Sequence, residues 1–283
     1  MNVDFRSPAP DLHQLISAYY RVDCPPEAGE IRDQLHPEWA NIRFILAGSW
    51  SVSRPNEASP PSYPDSLFGP TSRTWTLHGS VGAVIGVGLL PLGWAQLIRL
   101  PASDFADRIV PLNDGLQNAS ALSAAVRDAA TFDAQAAVFD AFFKELLAQA
   151  PAPDLTVQRA HAILLDPAVR SAEAFAEALG VSSRHAARLA LGMFGFPPKL
   201  LLRRQRFLRT LAAINGNPGV PWAQQLDGHY FDESHFIRDF RRFMSETPSR
   251  HFGERRPILS PATTARKAVL GAPMQGLHPA EEE

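Results

Sequence analysis

A short apolar helix, a glycine turn, an apolar residue and a capped second helix occur twice towards the C-terminus, and this repeat constrains the fold more than any other feature of the chain. In the first copy residues 175–179 are followed by Gly180, Val181 and Ser182. Glycine adopts the left-handed turn that two crossing helices need, and a serine hydroxyl can accept from the N–H groups that open the second helix. There Ala186, Leu189, Ala190 and Met193 fall on one face, and Arg184 and Arg188 fall together on another. In the second copy, about fifty residues later by the repeated pattern, residues 222–227 form the short helix and Gly228 lies at the turn. Asp232 then caps a helix with Phe236, Phe240 and Phe243 on its buried face and Ser234, Arg238 and Arg241 outside. Between the copies, residues 199–213 read as a basic helix with Leu200, Leu201, Phe207, Leu208 and Leu211 for packing and four arginines for phosphate.

The charge distribution supports a polyanionic partner. A net charge of -2 conceals 13 Lys/Arg against 6 Asp/Glu in residues 182–256, and 12 against 20 in residues 1–181. A basic segment joined to an acidic one is the pattern of a nucleic-acid module attached to an unrelated domain, although a solvated arginine-rich surface would read alike.

The N-terminal half has a different periodicity. Over residues 39–52, Ile42, Phe44 and Leu46 alternate with Asn41, Arg43 and Ile45, which reads as a half-buried strand ending near Gly48. Residues 53–64 are a Pro/Ser-rich loop, and residues 67–68, 74–77 and 81–89 give further short strands. Ser103 is placed to cap a helix through Ile109. Residues 134–149 form another, with Val138, Phe142 and Leu146 beside Phe139, Phe143 and Leu147 as a packing or dimer face. Pro151 and Pro153 mark the junction between domains. The fold class expected is therefore α+β: a small β-rich sensory or oligomerisation domain over residues 1–150, an all-α double helix-turn-helix domain over 154–256, and a loosely ordered tail over 257–283.

The single cysteine, Cys24, leaves no disulfide framework. Residues 1–20 are punctuated by prolines and charges and give no secretion signal, and residues 81–92, the longest apolar run, are broken by glycines and Pro91, so no membrane span is read and the expected location is the cytoplasm. The glycines at 79, 82, 86 and 88 make no dinucleotide fingerprint, and the histidines form no metal or triad spacing. Neither a cofactor, a metal nor an enzymatic activity is expected.

Leu179-Gly-Val-Ser-Ser-Arg184, Gly195-Phe-Pro-Pro-Lys199, Arg203-Arg-Gln-Arg-Phe207, Phe231-Asp-Glu-Ser-His-Phe-Ile-Arg-Asp-Phe240 and Thr247-Pro-Ser-Arg-His-Phe252 together resemble the AraC/XylS family of transcription regulators, over about residues 157–252. Phe68-Gly-Pro, Leu90-Pro-Leu-Gly-Trp94 and residues 106–112 look like the sensory domain of some members. The resemblance implies two recognition helices in successive major-groove faces of one site. It points to Arg184 and Arg188 in the first, and to Glu233, Ser234, His235 and Arg238 in the second, for base edges. Guanidinium chemistry suits guanine O6 and N7. Ser182, Arg203, Arg204, Arg241 and Arg242 are assigned to phosphate. The partners implied are double-stranded promoter DNA, a small-molecule effector of the N-terminal domain, RNA polymerase and a second copy of the chain.

The chain departs from the family at Ala190, Leu191 and Gly192, where an aromatic and basic residues are usual, at Pro197 in place of a capping Ser or Thr, and in the spacing of Gly228 to Asp232. The second unit is therefore expected to dominate binding. Two other readings stand beside this one. A metal-dependent small-barrel sensor or enzyme with a helical appendage needs a histidine and carboxylate cluster that the sequence does not assemble. An interaction module that has lost DNA binding is suggested by Leu191 and Gly192 and opposed by Arg184, Arg188, Ser234 and Arg238.

Overall fold

The structure, a computed structural model, describes residues 1–54, 57–226, 228 and 230–279. Nine strands form the N-terminal part: β1 (Asn2–Arg6), β2 (Ile16–Cys24), β3 (Ile31–Leu35), β4 (Asn41–Ala47), β5 (Trp50–Ser53), β6 (Asp65–Phe68), β7 (Trp75–Gly79), β8 (Gly82–Leu89) and β9 (Ile109–Pro111). They pair antiparallel into a six-stranded sheet, β1-β2-β8-β4-β6-β9, and a three-stranded sheet, β3-β7-β5.

The alternation in β4 has the physical origin the sequence suggests, but both of its faces are used. Ile42 and Phe44 are buried with Ile85, Val87, Phe139 and Phe143, whereas Asn41, Arg43 and Ile45 face the space between the two sheets. Residues 39–52 are not one strand. Gly48, at φ 82°, turns the chain so that residues 50–53 enter the second sheet, and its approach to the Val81 carbonyl leaves no room for a side chain. The helix expected to run from Ser103 through Ile109 is likewise divided. Short helices α1 (Pro91–Gly93) and α2 (Ala102–Phe105) follow the sheet, and residues 109–111 pair with β6 as an edge strand.

Helices α3 (Ala119–Asp128) and α4 (Phe132–Ala148) cover the outer face of the larger sheet. Thr131 caps α4 by accepting from the Ala134 N–H. Phe139, Phe143 and Leu146 are in the core and Val138, Phe142 and Leu147 pack against it, so the double stripe of this helix serves folding within the chain.

The chain then runs through α5 (Leu155–Leu165), α6 (Ala172–Leu179), α7 (Ser183–Phe194), the long α8 (Pro198–Gly216), α9 (Glu233–Met244) and α10 (Pro248–Gly253). Residues 222–224 form a single 3₁₀ turn instead of the helix expected over 222–227, whose last residue, Asp227, lies outside the described residues.

The tail expectation is corrected. Residues 259–270 form α11 (Leu259–Leu270), which packs on β1 and β3. Ile258 is buried among Val3, Phe5, Val22, Trp50 and Val84. Farther on, Gln275 Nε2 donates to the carbonyls of Ala40 and Leu89, at 3.0 and 3.1 Å, and its Oε1 accepts from Asn41. Compositional cues for disorder failed here because the segment borrows its core and its hydrogen-bond partners from the N-terminal sheets, far earlier in the chain. The final residues, 280–283, lie outside the described residues.

Asp33 fixes the start of this returning segment. Its Oδ2 accepts from the backbone N–H of Ile258 at 2.7 Å and Leu259 at 2.8 Å, and the carboxylate is buried. Asp33→Ala removes both acceptors and is expected to cost about 1–2 kcal/mol. Denaturant unfolding reads that loss, and hydrogen exchange at Ile258 and Leu259 is expected to accelerate while exchange in β4 and β8 changes little.

Candidate nucleic-acid interface

Both helix-turn-helix units are built as their caps require. Gly180, at φ 76°, closes α6 in the left-handed conformation, and the Ser182 hydroxyl accepts from the His185 N–H at 3.3 Å to open α7. In the second unit Asp232 Oδ1 accepts from the His235 N–H at 2.7 Å to open α9. Ala186, Ala190 and Phe194 bury one face of α7, and Phe236, Asp239, Phe240 and Phe243 bury one face of α9. The opposite faces are left to solvent.

On those faces Arg184 and Arg188 of α7 and Glu233, Ser234, Arg238, Arg241 and Arg242 of α9 are exposed. The five arginines have no ion-pair partner among the described residues, so each is free to meet an incoming anion. Phe231, immediately before the cap of α9, is 94% exposed. Leu191 is exposed rather than packed against α8, and Gly192 faces open space.

Three of the other expected site residues are engaged within the protein. Arg203 Nε donates to Asp239 Oδ1 at 2.5 Å, and Arg206 Nη2 donates to Asp239 Oδ2 at 2.8 Å, where the Tyr230 hydroxyl also donates. Asp239 is 0% exposed, so this network fastens α9 to α8 across the second unit. Burial, followed by the Asp239 charge, pushes the Tyr230 phenol above its ordinary value and keeps it a donor. His235 is half-buried, edge-on to Tyr230 and 3.3 Å from Arg206 Nη2, so it is a packing residue in this arrangement rather than a fully presented base reader.

Arg204 is a correction to the phosphate assignment. It is 1% exposed, lies 4.0 Å over the Trp39 ring and donates through Nη1 to the carbonyls of Thr71 at 2.9 Å and Glu38 at 3.3 Å. No nucleic-acid phosphate can reach it. Burial lowers its pKa to about 9, with the charges of Asp107 and Glu38 opposing, so the guanidinium stays charged at neutral pH. Arg204 thus joins the helix between the two units to the N-terminal part.

Residues 175–253 match a family of helix-turn-helix domains. This part of the chain is an AraC-type helix-turn-helix domain. A domain of this kind is a DNA-binding module. No curated protein matches the sequence. Solved structures of ToxT from Vibrio cholerae are similar at low identity. An apo single-residue variant is 13% identical, with 83% of this chain and 96% of that one covered and a TM-score of 0.46. Wild-type ToxT bound to an unsaturated fatty acid is 14% identical, with 79% and 95% covered and a TM-score of 0.42. At this distance the likeness assigns no ligand to the present chain.

Asp239, Arg206 and Tyr230 were not legible as a site from sequence, although one signal was present: Asp239 sits on the apolar stripe of α9 between Phe236 and Phe243. A carboxylate at such a position requires a buried partner. Among the described residues no group of three or more His, Cys, Asp and Glu is placed to hold a metal ion, and no helix is long and apolar enough to cross a membrane.

Arg204→Ala is expected to lower the stability of the full chain by about 2–4 kcal/mol, through the cavity left and the two carbonyls stripped of their donor. Denaturant unfolding measures this. The salt dependence of DNA binding by the folded protein is expected to stay as in the unaltered chain, which a phosphate contact at Arg204 would not allow.

Proposed function

We propose that the protein is a sequence-specific, effector-responsive regulator that reads promoter DNA with α7 and α9. The observation that carries this reading is the pair of capped helices whose outer faces hold five exposed arginines without an ion-pair partner among the described residues. Arg184, Arg188, Glu233, Ser234 and Arg238 are assigned to base edges, with His235 contributing where its packing on Tyr230 allows. Arg241 and Arg242 in the last turn of α9, with Ser182 at the start of α7, are assigned to phosphate. Arg203, held by Asp239 but partly exposed, presents its remaining donors beside them.

In this reading residues 1–150 are the sensory domain and residues 154–256 the DNA-binding domain, acting in the cytoplasm without catalysis. A signal molecule shifts DNA binding only in so far as it binds two arrangements of the chain with different affinity. Direct ties between the parts give such a signal a route: Thr74 N–H donates to the Phe243 carbonyl of α9 at 2.7 Å, and Gln34 donates to the Met244 carbonyl at 3.2 Å. RNA polymerase and a second copy of the chain are the further partners proposed.

Binding of the full chain to a promoter library, followed by salt titration on the selected sequence, tests the proposal. Affinity is expected to fall steeply with salt. A folded protein with no salt-dependent binding to any duplex overturns it. Arg238→Ala is expected to cost about 1–3 kcal/mol and to relax preference at one base position, whereas Arg241→Ala weakens all sequences alike. Uniform loss in both variants removes Arg238 from base readout.

The second unit is proposed to dominate. Leu191→Arg and Gly192→Arg, at exposed positions with open space around them, are expected to raise affinity and steepen its salt dependence without loss of thermal stability. Unchanged folding with unchanged affinity refutes that asymmetry.

A further inference from the structure

The two sheets and α11 line a partly open cavity of about 170 Å³. Most of its wall is apolar, from Phe5, Val22, Trp50, Val84, Ile258 and Ala262. Its polar lining includes Tyr20, Glu38, Arg43 and Arg266, which carry its charged groups and the phenol between them. Three of these satisfy one another. Arg43 Nε donates to the Tyr20 hydroxyl at 2.8 Å, its Nη2 donates to Glu38 Oε1 at 3.0 Å, and its guanidinium lies 4.1 Å over the Phe68 ring.

Arg266 is different. It is 6% exposed, its Nε has no hydrogen-bond partner, and no carboxylate lies within ion-pairing distance among the described residues. Its Nη2 reaches His278 Nδ1 at 3.4 Å, and burial holds that imidazole down at about 4, neutral and able to accept but not to balance charge. Burial also lowers Arg266, to about 10, which leaves it cationic at neutral pH. Arg43 and Arg266 face the single carboxylate of Glu38, so this polar group has an excess positive charge. A buried guanidinium with an unused donor beside apolar volume is matched by an anion with an apolar body.

We propose that this cavity binds a small apolar molecule carrying one carboxylate, and that Arg266 of α11 is the group that holds the carboxylate. The proposal rests on the effector-responsive reading above and names the chemical class of the effector. It also places the anchor on the segment that follows the DNA-binding domain. Residues 254–258 alone separate α10 from α11, so a ligand held by Arg266 ties the continuation of the DNA-binding domain to the two sheets.

Octanoate and 1-octanol, which share a chain length and differ in charge, are the probes, titrated calorimetrically into the full-length protein. Octanoate is expected to bind about tenfold tighter than octanol or more, as a charge-assisted contact requires. Arg266→Gln is expected to erase that ratio while octanol affinity is kept, which shows at once that the cavity is intact. Arg266→Lys is expected to retain part of the preference. Ala262→Phe, which fills the cavity, is expected to abolish binding of both probes and so to exclude adsorption at the surface.

Equal affinities in the unaltered protein, no octanoate binding, or an acid preference that survives Arg266→Gln each overturn the proposal. If the Gln variant does not fold by circular dichroism, the Lys variant decides: a preference undiminished there overturns it as well. DNA binding of the same samples separates the two readings. Salt-dependent DNA binding without octanoate binding defeats the ligand assignment alone. Octanoate binding through Arg266 without any change in DNA affinity leaves the site standing and defeats the effector reading.

Discussion

A buried guanidinium is the most demanding of the ties between the two parts of this molecule, beside the bonds that Thr74 and Gln34 make to the end of α9. Arg204 leaves α8 midway along its length, lies flat on Trp39 and donates to two backbone carbonyls of the N-terminal part. Removing a charge from water is costly unless its donors find acceptors; here Nη1 finds two carbonyls and the Trp39 face adds to them, while Nε and Nη2 have no hydrogen-bond partner among the described residues. The contact is therefore demanding in position. Because α8 also supplies Leu201 and Leu202 to the core of the first helix-turn-helix and Phe207, Leu208 and Leu211 to that of the second, its position is inherited by both units.

The same helix shows how polar side chains are divided between structure and recognition. Arg203 and Arg206 point towards Asp239 and hold α9, whereas Arg204, one residue away from the first of these, points towards Trp39. The arginines of α7 and α9 are left for the partner. Arg203, Arg204 and Arg206 of this basic helix are spent within the protein, whereas Lys199 at its start stays exposed.

The sequence made the helical half readable because its signals are local: Ser182 and Asp232 cap the helices they precede, Gly180 turns where only glycine turns easily, and the phenylalanines of α9 keep a helical period. The fates of Arg203, Arg204 and His235 were not readable, since exposure depends on Asp239, Trp39 and Tyr230, which only tertiary packing brings near. Even so, Arg204 lies three residues from Leu201 and Phe207 and four from Leu208, on the apolar stripe, and that position is a signal of burial. The strand alternation in residues 41–47 was legible, but the break at Gly48 needed the neighbouring Val81 carbonyl to explain it. The ordering of residues 259–279 and the cavity they line were not read from the sequence, because the packing that buries them rests on β1, β3 and Ala40, far earlier in the chain.

That returning segment also gives the N-terminal fold a history. The strands from Asn2 to Leu89 are synthesised first, yet the wall they share with Ile258 and α11, and the bridge from Gln275 to Ala40 and Leu89, become available only after the DNA-binding helices have emerged. Domains that fold during synthesis normally complete themselves before the next one appears. Here the first domain to leave the ribosome waits for the last segment described, holding an open apolar cleft in the interval. A message truncated beyond the second helix-turn-helix would yield the helices of both units beside an N-terminal part that lacks one of its walls.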